Sequence, residues 1–123
     1  MARIQIIEDE MQIRDNLARF LRLEGHVALC ANDGVAGLEA IRAEPPALVI
    51  CDFMMPRMDG FAVLAVLQAD ASLRALPFIM LSASAEPERL HQAVAMGACA
   101  YVTKPYRLAE MRLLLRRHLP PSL

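Results

Sequence analysis

The stretch that most constrains this chain is Leu48-Val49-Ile50-Cys51-Asp52, an unbroken apolar run ending in a carboxylate. A short run of this kind, without polar alternation, predicts a strand covered on both faces, as in a parallel sheet. The next residues, Phe53-Met54-Met55-Pro56-Arg57-Met58-Asp59-Gly60, read as a turn. Asp59 is expected to cap the helix that follows, and Gly60 to let the turn close tightly. In open parallel sheets chemistry gathers outside the carboxyl ends of the strands. Asp52 is predicted to sit there.

The same pattern repeats five times. Strands are predicted at 4–7, 27–30, 48–51, 77–81 and 99–103, each followed by a helix. Ile13, Leu17, Phe20 and Leu21 recur at helical spacing, and Gly25 ends that helix. Asp33 is expected to cap the second, in which Leu38 and Ile41 face inward. Gly37 weakens it by about 1 kcal/mol relative to alanine. The third helix turns Val63, Leu64 and Leu67 inward. The fourth, 86–96, is expected to bury Leu90 and Val94, with Gly97 as a left-handed terminator. The last, 107–119, carries the stripe Leu108, Met111, Leu115 and Leu119, which leaves Leu113 exposed between arginines. Repeated β-α units imply an α/β fold, a five-stranded parallel sheet doubly wound by helices.

With 123 residues the chain is long enough for one domain, predicted at 1–119, with 120–123 a tail or the start of a linker. Its composition is 56% hydrophobic but only 5% aromatic, so the core is expected to be aliphatic. A net charge of −1 with no basic stripe argues against direct nucleic-acid binding. No apolar run approaches membrane-spanning length, and the first residues show no signal-peptide pattern. Cys30, Cys51 and Cys99 are odd in number and lack Cys-x-x-Cys spacing, which predicts buried, reduced thiols in a cytoplasmic protein. His26, His91 and His118 share no ligand spacing. The eight methionines, Met54, Met55, Met58 and Met80 among them, are expected to fill the core.

The notable polar residues all follow strands: Glu8 and Asp9 the first, Asp52 the third, Ser82 the fourth, Lys104 the fifth. Parallel strands bring those ends to one edge. At an effective dielectric near 20, two carboxylates about 4 Å apart repel by on the order of 4 kcal/mol. Such a cluster needs a cation or a raised pKa. Lys104 and a divalent metal would supply the charge, and an all-oxygen site with few carboxylates suits Mg²⁺. A carboxylate nucleophile, Mg²⁺, a lysine and a hydroxyl fit phosphoryl transfer onto Asp52, which is ionised at neutral pH and needs no base.

These pieces, together with Leu81-Ser82-Ala83, Gly97-Ala98 and Tyr101-Val102-Thr103-Lys104-Pro105, resemble the response-regulator receiver domains of two-component signalling along the whole chain. The resemblance implies a flavodoxin-like sheet in the order 2-1-3-4-5. It implies that Asp52 accepts a phosphoryl group from the phosphohistidine of a sensor histidine kinase or a histidine phosphotransfer protein. Glu8, Asp9, Asp52 and the carbonyl of Met54 are implied to hold Mg²⁺, Asp9 directly and Glu8 through water. Lys104 then pairs with Asp52 and its phosphate, Ser82 hydrogen-bonds the phosphate, and Tyr101 is the aromatic switch. The Lys104-Pro105 bond is expected to be cis. The face of the fourth helix, fifth strand and last helix is expected to read out the change to a downstream effector or a second copy, and the helical wheel of the last helix puts the exposed Leu113 forward as a contact there.

Several positions depart from the family pattern or bear on it. Glu8 replaces an aspartate but keeps its charge. Cys99-Ala100 stands where acidic residues are frequent. Met54 and Ser84 cannot position a hydrolytic water well, so slow self-dephosphorylation is expected. Two other readings remain open: a pseudo-receiver acting as a constitutive interaction module, and an aspartyl-phosphate hydrolase. The complete Glu8, Asp9, Asp52, Ser82, Lys104 set argues against the first. Met54, in place of a second aspartate two residues after the nucleophile, argues against the second. No Gly-x-Gly-x-x-Gly or Walker loop supports nucleotide binding.

Overall fold

The computed structural model describes residues 1–121, so Ser122 and Leu123 of the predicted tail lie outside the described residues. Five strands alternate with five helices. The elements are β1 (Arg3–Ile7), α1 (Met11–Leu23), β2 (Val27–Ala31), α2 (Gly34–Ala43), β3 (Leu48–Asp52), α3 (Gly60–Ala69), β4 (Phe78–Ser82), α4 (Pro87–Ala95), β5 (Ala100–Thr103) and α5 (Leu108–His118). All pairings are parallel, in the order β2-β1-β3-β4-β5. That is the expected doubly wound sheet. β3 and β4 are buried at every position, which explains why their sequences lack polar alternation.

Strand alternation divides the core in two. Val49, Cys51, Phe78 and Met80 face α2, α3 and α4. Ile4, Ile6, Ile50 and Ile79 face α1 and α5. Asp33 and Asp59 cap their helices as predicted, accepting from the amides of Ala36 at 2.7 Å and Ala62 at 2.9 Å. Gly97 follows α4 with φ +115°, the left-handed conformation a glycine tolerates. The Lys104-Pro105 peptide is cis. Among the described residues no helix is long and apolar enough to cross a membrane.

Four expectations about packing need correction. Leu90 and Val94 do not face inward: they are 40% and 52% exposed, and Ala93 is the buried residue of α4. At about 100° per residue, Arg89, Ala93 and Met96 form the inner stripe, and Leu90 and Val94 lie roughly 90° and 130° from its centre. Leu108 is also exposed, since the first turn of α5 lies at the carboxyl edge of the sheet beside an open groove with Ile13, Leu17 and Tyr106. Of the cysteines only Cys51 is buried, while Cys30 is exposed on edge strand β2 and Cys99 is intermediate. Met55 and Met80 are buried, but Met54 is exposed on its loop.

Gly37 is the instructive case. Sequence propensity marks it as a weak point of α2. In the structure its Cα lies against β1, and an added Cβ would come within 2.4 Å of Ile7 Cδ1 and 2.6 Å of Ile7 Cγ1. Ile7 is fully buried, so its side chain could give way only by displacing its neighbours in the core. Gly37→Ala is therefore expected to destabilise the protein by about 1–3 kcal/mol through overpacking, outweighing the gain of about 1 kcal/mol in helix propensity. A lower denaturation midpoint in urea checks this, and an unchanged or higher midpoint contradicts it.

Candidate functional site

Glu8, Asp52, Ser82 and Lys104 end strands or directly follow them, held by backbone bonds that extend the sheet by one step, while Asp9 and Met54 lie two residues past their strands, Tyr101 within β5 and Leu113 on α5. The amide of Glu8 donates to the Ala31 carbonyl (3.1 Å), that of Phe53 to Leu81 (2.7 Å), and that of Lys104 to Ser82 (2.7 Å). These bonds fix three loops at one edge. Gly60 permits the closest approach: its amide donates to the Phe53 carbonyl at 2.8 Å, and a Cβ there would come within 2.9 Å of the Phe53 Cα. On the same loop Arg57 has φ +67°, and the Met58 amide donates to the Pro56 carbonyl at 2.7 Å. A non-glycine residue in this region is strained, as is common beside functional sites.

Lys104 joins the cluster. Its Nζ lies 2.6 Å from Asp52 Oδ1 and 2.9 Å from Glu8 Oε1. Asp52 is 4% exposed and Glu8 1%. Two buried carboxylates thus share one ammonium. Asp9, which is exposed, adds a third, and Glu8, Asp9 and Asp52 each offer an oxygen within 4.8 Å of the others. Hard oxygen donors in this number, crowded around less than their own positive charge, fit a small divalent cation. Met54 stands on the loop directly after Asp52, with its side chain exposed.

Ser82 is buried, and its hydroxyl accepts from the Ser84 amide at 3.1 Å. Tyr101 is half-buried and donates its hydroxyl to the Ser84 carbonyl at 2.6 Å. Ser82 and Tyr101 therefore meet at one loop segment. Leu113 is 57% exposed on α5, away from the acidic cluster.

The sequence reading missed Glu10. Its carboxylate caps α1 by accepting from the Ile13 amide at 2.7 Å, and its own amide donates to Glu8 Oε2 at 3.2 Å. Both oxygens of Glu8 are therefore engaged. The Ser/Thr/Asp/Asn preference at N-caps hides a glutamate in this role; Glu10 directly before the helix was the available signal.

Burial first, and then the opposing charges, set the ionisation here. Burial pushes the Glu8 carboxyl above the usual range, Lys104 draws it back, and Asp52 pushes it up again. Asp52 is likewise raised by burial, against the pull of Lys104. For Lys104 burial opposes the charge, but the bonds to Asp52 and Glu8 outweigh it, and its pKa is raised. The native state therefore holds carboxyl protons that the unfolded chain has lost just above the ordinary values of 3.8 and 4.5. Stability then falls as pH rises through the raised native values. Metal-free protein is thus expected to gain stability as pH falls through those raised values. Asp52→Asn is expected to raise the neutral-pH stability by on the order of 1 kcal/mol and to flatten this dependence. Thermal melts from pH 5 to 8 without divalent metal check both; a variant no more stable than the parent contradicts them.

Residues 4–116 match the family described as "Response regulator receiver domain". The chain is 35% identical over 119 residues to the response regulator MprA of Mycobacterium ulcerans, covering 94% of this chain and 50% of MprA. It is 35% identical over 117 residues to the regulatory protein AtoC of Escherichia coli, covering 95% of this chain and 25% of AtoC. Thus the chain spans about half the length of one relative and a quarter of the other. Its fold superposes on the chemotaxis protein CheY4 of Vibrio cholerae with a TM-score of 0.91 at 26% identity, covering 97% of this chain and 99% of that one. With its strand order, the acidic cluster and this match over most of its length, the chain belongs to the response regulator receiver domains of two-component signalling.

Proposed function

We propose that the domain is a phosphorylation-controlled switch in which Asp52 takes a phosphoryl group from the phosphohistidine of a sensor histidine kinase or a histidine phosphotransfer protein. The observation that carries this reading is Lys104, held between Asp52 and Glu8 at 2.6 and 2.9 Å. The ammonium orients the Asp52 carboxylate and favours its ionised form against the burial that opposes it. In the transfer, a carboxylate oxygen of Asp52 bonds to phosphorus as the bond from phosphorus to the imidazole nitrogen breaks. The electron pair leaves with the imidazole, and Lys104 stays beside the growing charge.

Mg²⁺ is assigned to Asp9, Asp52 and the Met54 carbonyl, with Glu8 acting through water. Both Glu8 oxygens already have partners, which supports the indirect role. When bound, the ion supplies positive charge against the phosphoryl oxygens. Ser82 donates its hydroxyl to the phosphate. Movement of the hydroxyl toward the phosphate, rather than the donation itself, strains the bond it accepts from the Ser84 amide and so disturbs the segment on which Tyr101 is anchored. Tyr101 then follows inward. The altered surface comprises α4, β5 and α5, with Leu113 as a contact for a downstream effector or a second copy. Met54 and Ser84 do not supply a carboxylate to activate water, which supports slow self-dephosphorylation and weighs against a hydrolase.

Incubation with Mg²⁺ and a small acyl phosphate is expected to add one phosphoryl group per chain, read by intact mass. Asp52→Asn and omission of Mg²⁺ should each abolish the addition. An unmodified parent protein would favour the pseudo-receiver, and repeated turnover of external phosphoesters the hydrolase. For the readout face, Leu113→Asp is expected to weaken self-association of the phosphorylated protein or capture of its effector by tenfold or more, with Asp52 phosphorylation unchanged. Equal behaviour of parent and variant in sedimentation and effector binding would remove Leu113 from that face.

A further inference from the structure

The arrangement of α4 is inverted with respect to its sequence. Its aliphatic residues Leu90 and Val94 face solvent, while Arg89 lies on the inner stripe with Ala93 and Met96. Arg89 stands in the first turn of α4, and its guanidinium carbon is 4.2 Å from the centroid of the Phe53 ring. Phe53 directly follows Asp52. Its ring is buried and meets Phe61 edge-on, with centroids 4.8 Å apart and planes at 69°. Its backbone is held on both sides, donating to Leu81 and accepting from Gly60. The ring is thus a fixed platform beside the phosphoacceptor. Among the described residues Arg89 forms no salt bridge, so the ring face is what its charge meets.

The rest of α4 is lightly tied. Ala93 is its buried side chain, and its N-cap residue, Glu86, makes no side-chain capping bond. A cation over an aromatic face is attracted by the ring quadrupole, more strongly where water is partly excluded. In a helix with so little apolar burial this contact is a large share of what fixes the first turn.

We propose that Arg89 is a positioning residue: its stacking on Phe53 clamps the first turn of α4 to the residue next to Asp52 and so sets the resting position of the readout helix. The proposal rests on the reading of Asp52 as phosphoacceptor for its consequence, but the clamp itself is a property of the unphosphorylated chain. Phosphorylation places roughly −1.5 to −2 charges on the residue that precedes Phe53, whose side chain alternates to the other face of the strand from the ring. Its effect on the clamp runs instead through Ser82 and Ser84; the Ser84 hydroxyl accepts from the amide of Glu86, the N-cap of α4. The clamp is weakened at the moment Ser82 and Tyr101 rearrange, which frees α4 to shift.

The test uses methyl resonances of Leu90 and Val94, both exposed and both on α4. In unphosphorylated protein, Arg89→Ala is expected to move these signals along the line that joins the unphosphorylated and phosphorylated parent positions. Phosphorylation of Asp52 by a small acyl phosphate should then quicken roughly two- to fivefold, the range to which a partly exposed cation–π contact converts. Arg89→Lys, which retains a cation, should stay close to the parent, and Arg89→Gln should behave as Arg89→Ala. Phe53→Leu should reproduce the Arg89→Ala shifts, and the double variant should add nothing further. Unmoved methyl signals in Arg89→Ala, equal effects of Arg89→Lys and Arg89→Gln, or independent addition of the two single changes would overturn the clamp. If Phe53→Leu does not fold, the Arg89→Lys and Arg89→Gln pair decides the matter. A parent that takes up no phosphoryl group would refute the phosphoacceptor reading instead, while the coupling of Arg89 to Phe53 would still be read from the unphosphorylated signals.

Discussion

One ammonium group shared by two buried carboxylates is the constraint from which the rest of this structure follows. A buried carboxylate is costly unless paired, and a second one beside it raises that cost. Lys104 lowers it for both Asp52 and Glu8, but a single cation cannot balance three acids. The remaining imbalance is what gives the site an affinity for further positive charge. The sheet makes this possible because β1, β3 and β5 end at the same edge, with backbone bonds that leave the side chains little choice of position.

The site is therefore poised rather than satisfied. Glu8 uses both its oxygens within the protein, whereas Asp9 stands in solvent, available to an incoming ion. On the neighbouring loop Ser82 and Tyr101 converge on the two backbone groups of Ser84, the amide and the carbonyl. A change at either side chain is felt at the same residue, through the two peptide units that flank it. This is a short mechanical route from the loop beside the acidic cluster to the first turn of α4, and that helix is the one with fewest buried side chains to resist it.

The sheet was legible in the sequence because its strands are apolar runs with nothing to compete. Leu48 to Cys51 and Phe78 to Leu81 have one plausible home. The site was legible for a related reason: each of its polar residues interrupts or ends such a run. The faces of the helices were harder to read. In α4, Leu90 and Val94 have helical spacing and still point outward, because the inner face is decided by the ring of Phe53 and the close approach at Ala93. Periodicity reports that a stripe exists, not which stripe the sheet will cover. For Gly37, propensity describes only the isolated helix, whereas Ile7, which leaves no room for a Cβ, lies on a different element. Glu10 is hard to read as a cap because glutamate is rare in that role, and its bond to Glu8 is visible only in three dimensions.

Lys104 has a further consequence, one that comes from composition. Every other basic side chain of this group in the sequence is arginine, so Lys104 is the only lysine. Feeding isotopically enriched lysine during expression would therefore label a single residue, the one at the centre of the charge cluster. Occupancy of the pocket could be followed through that one probe without any engineered tag.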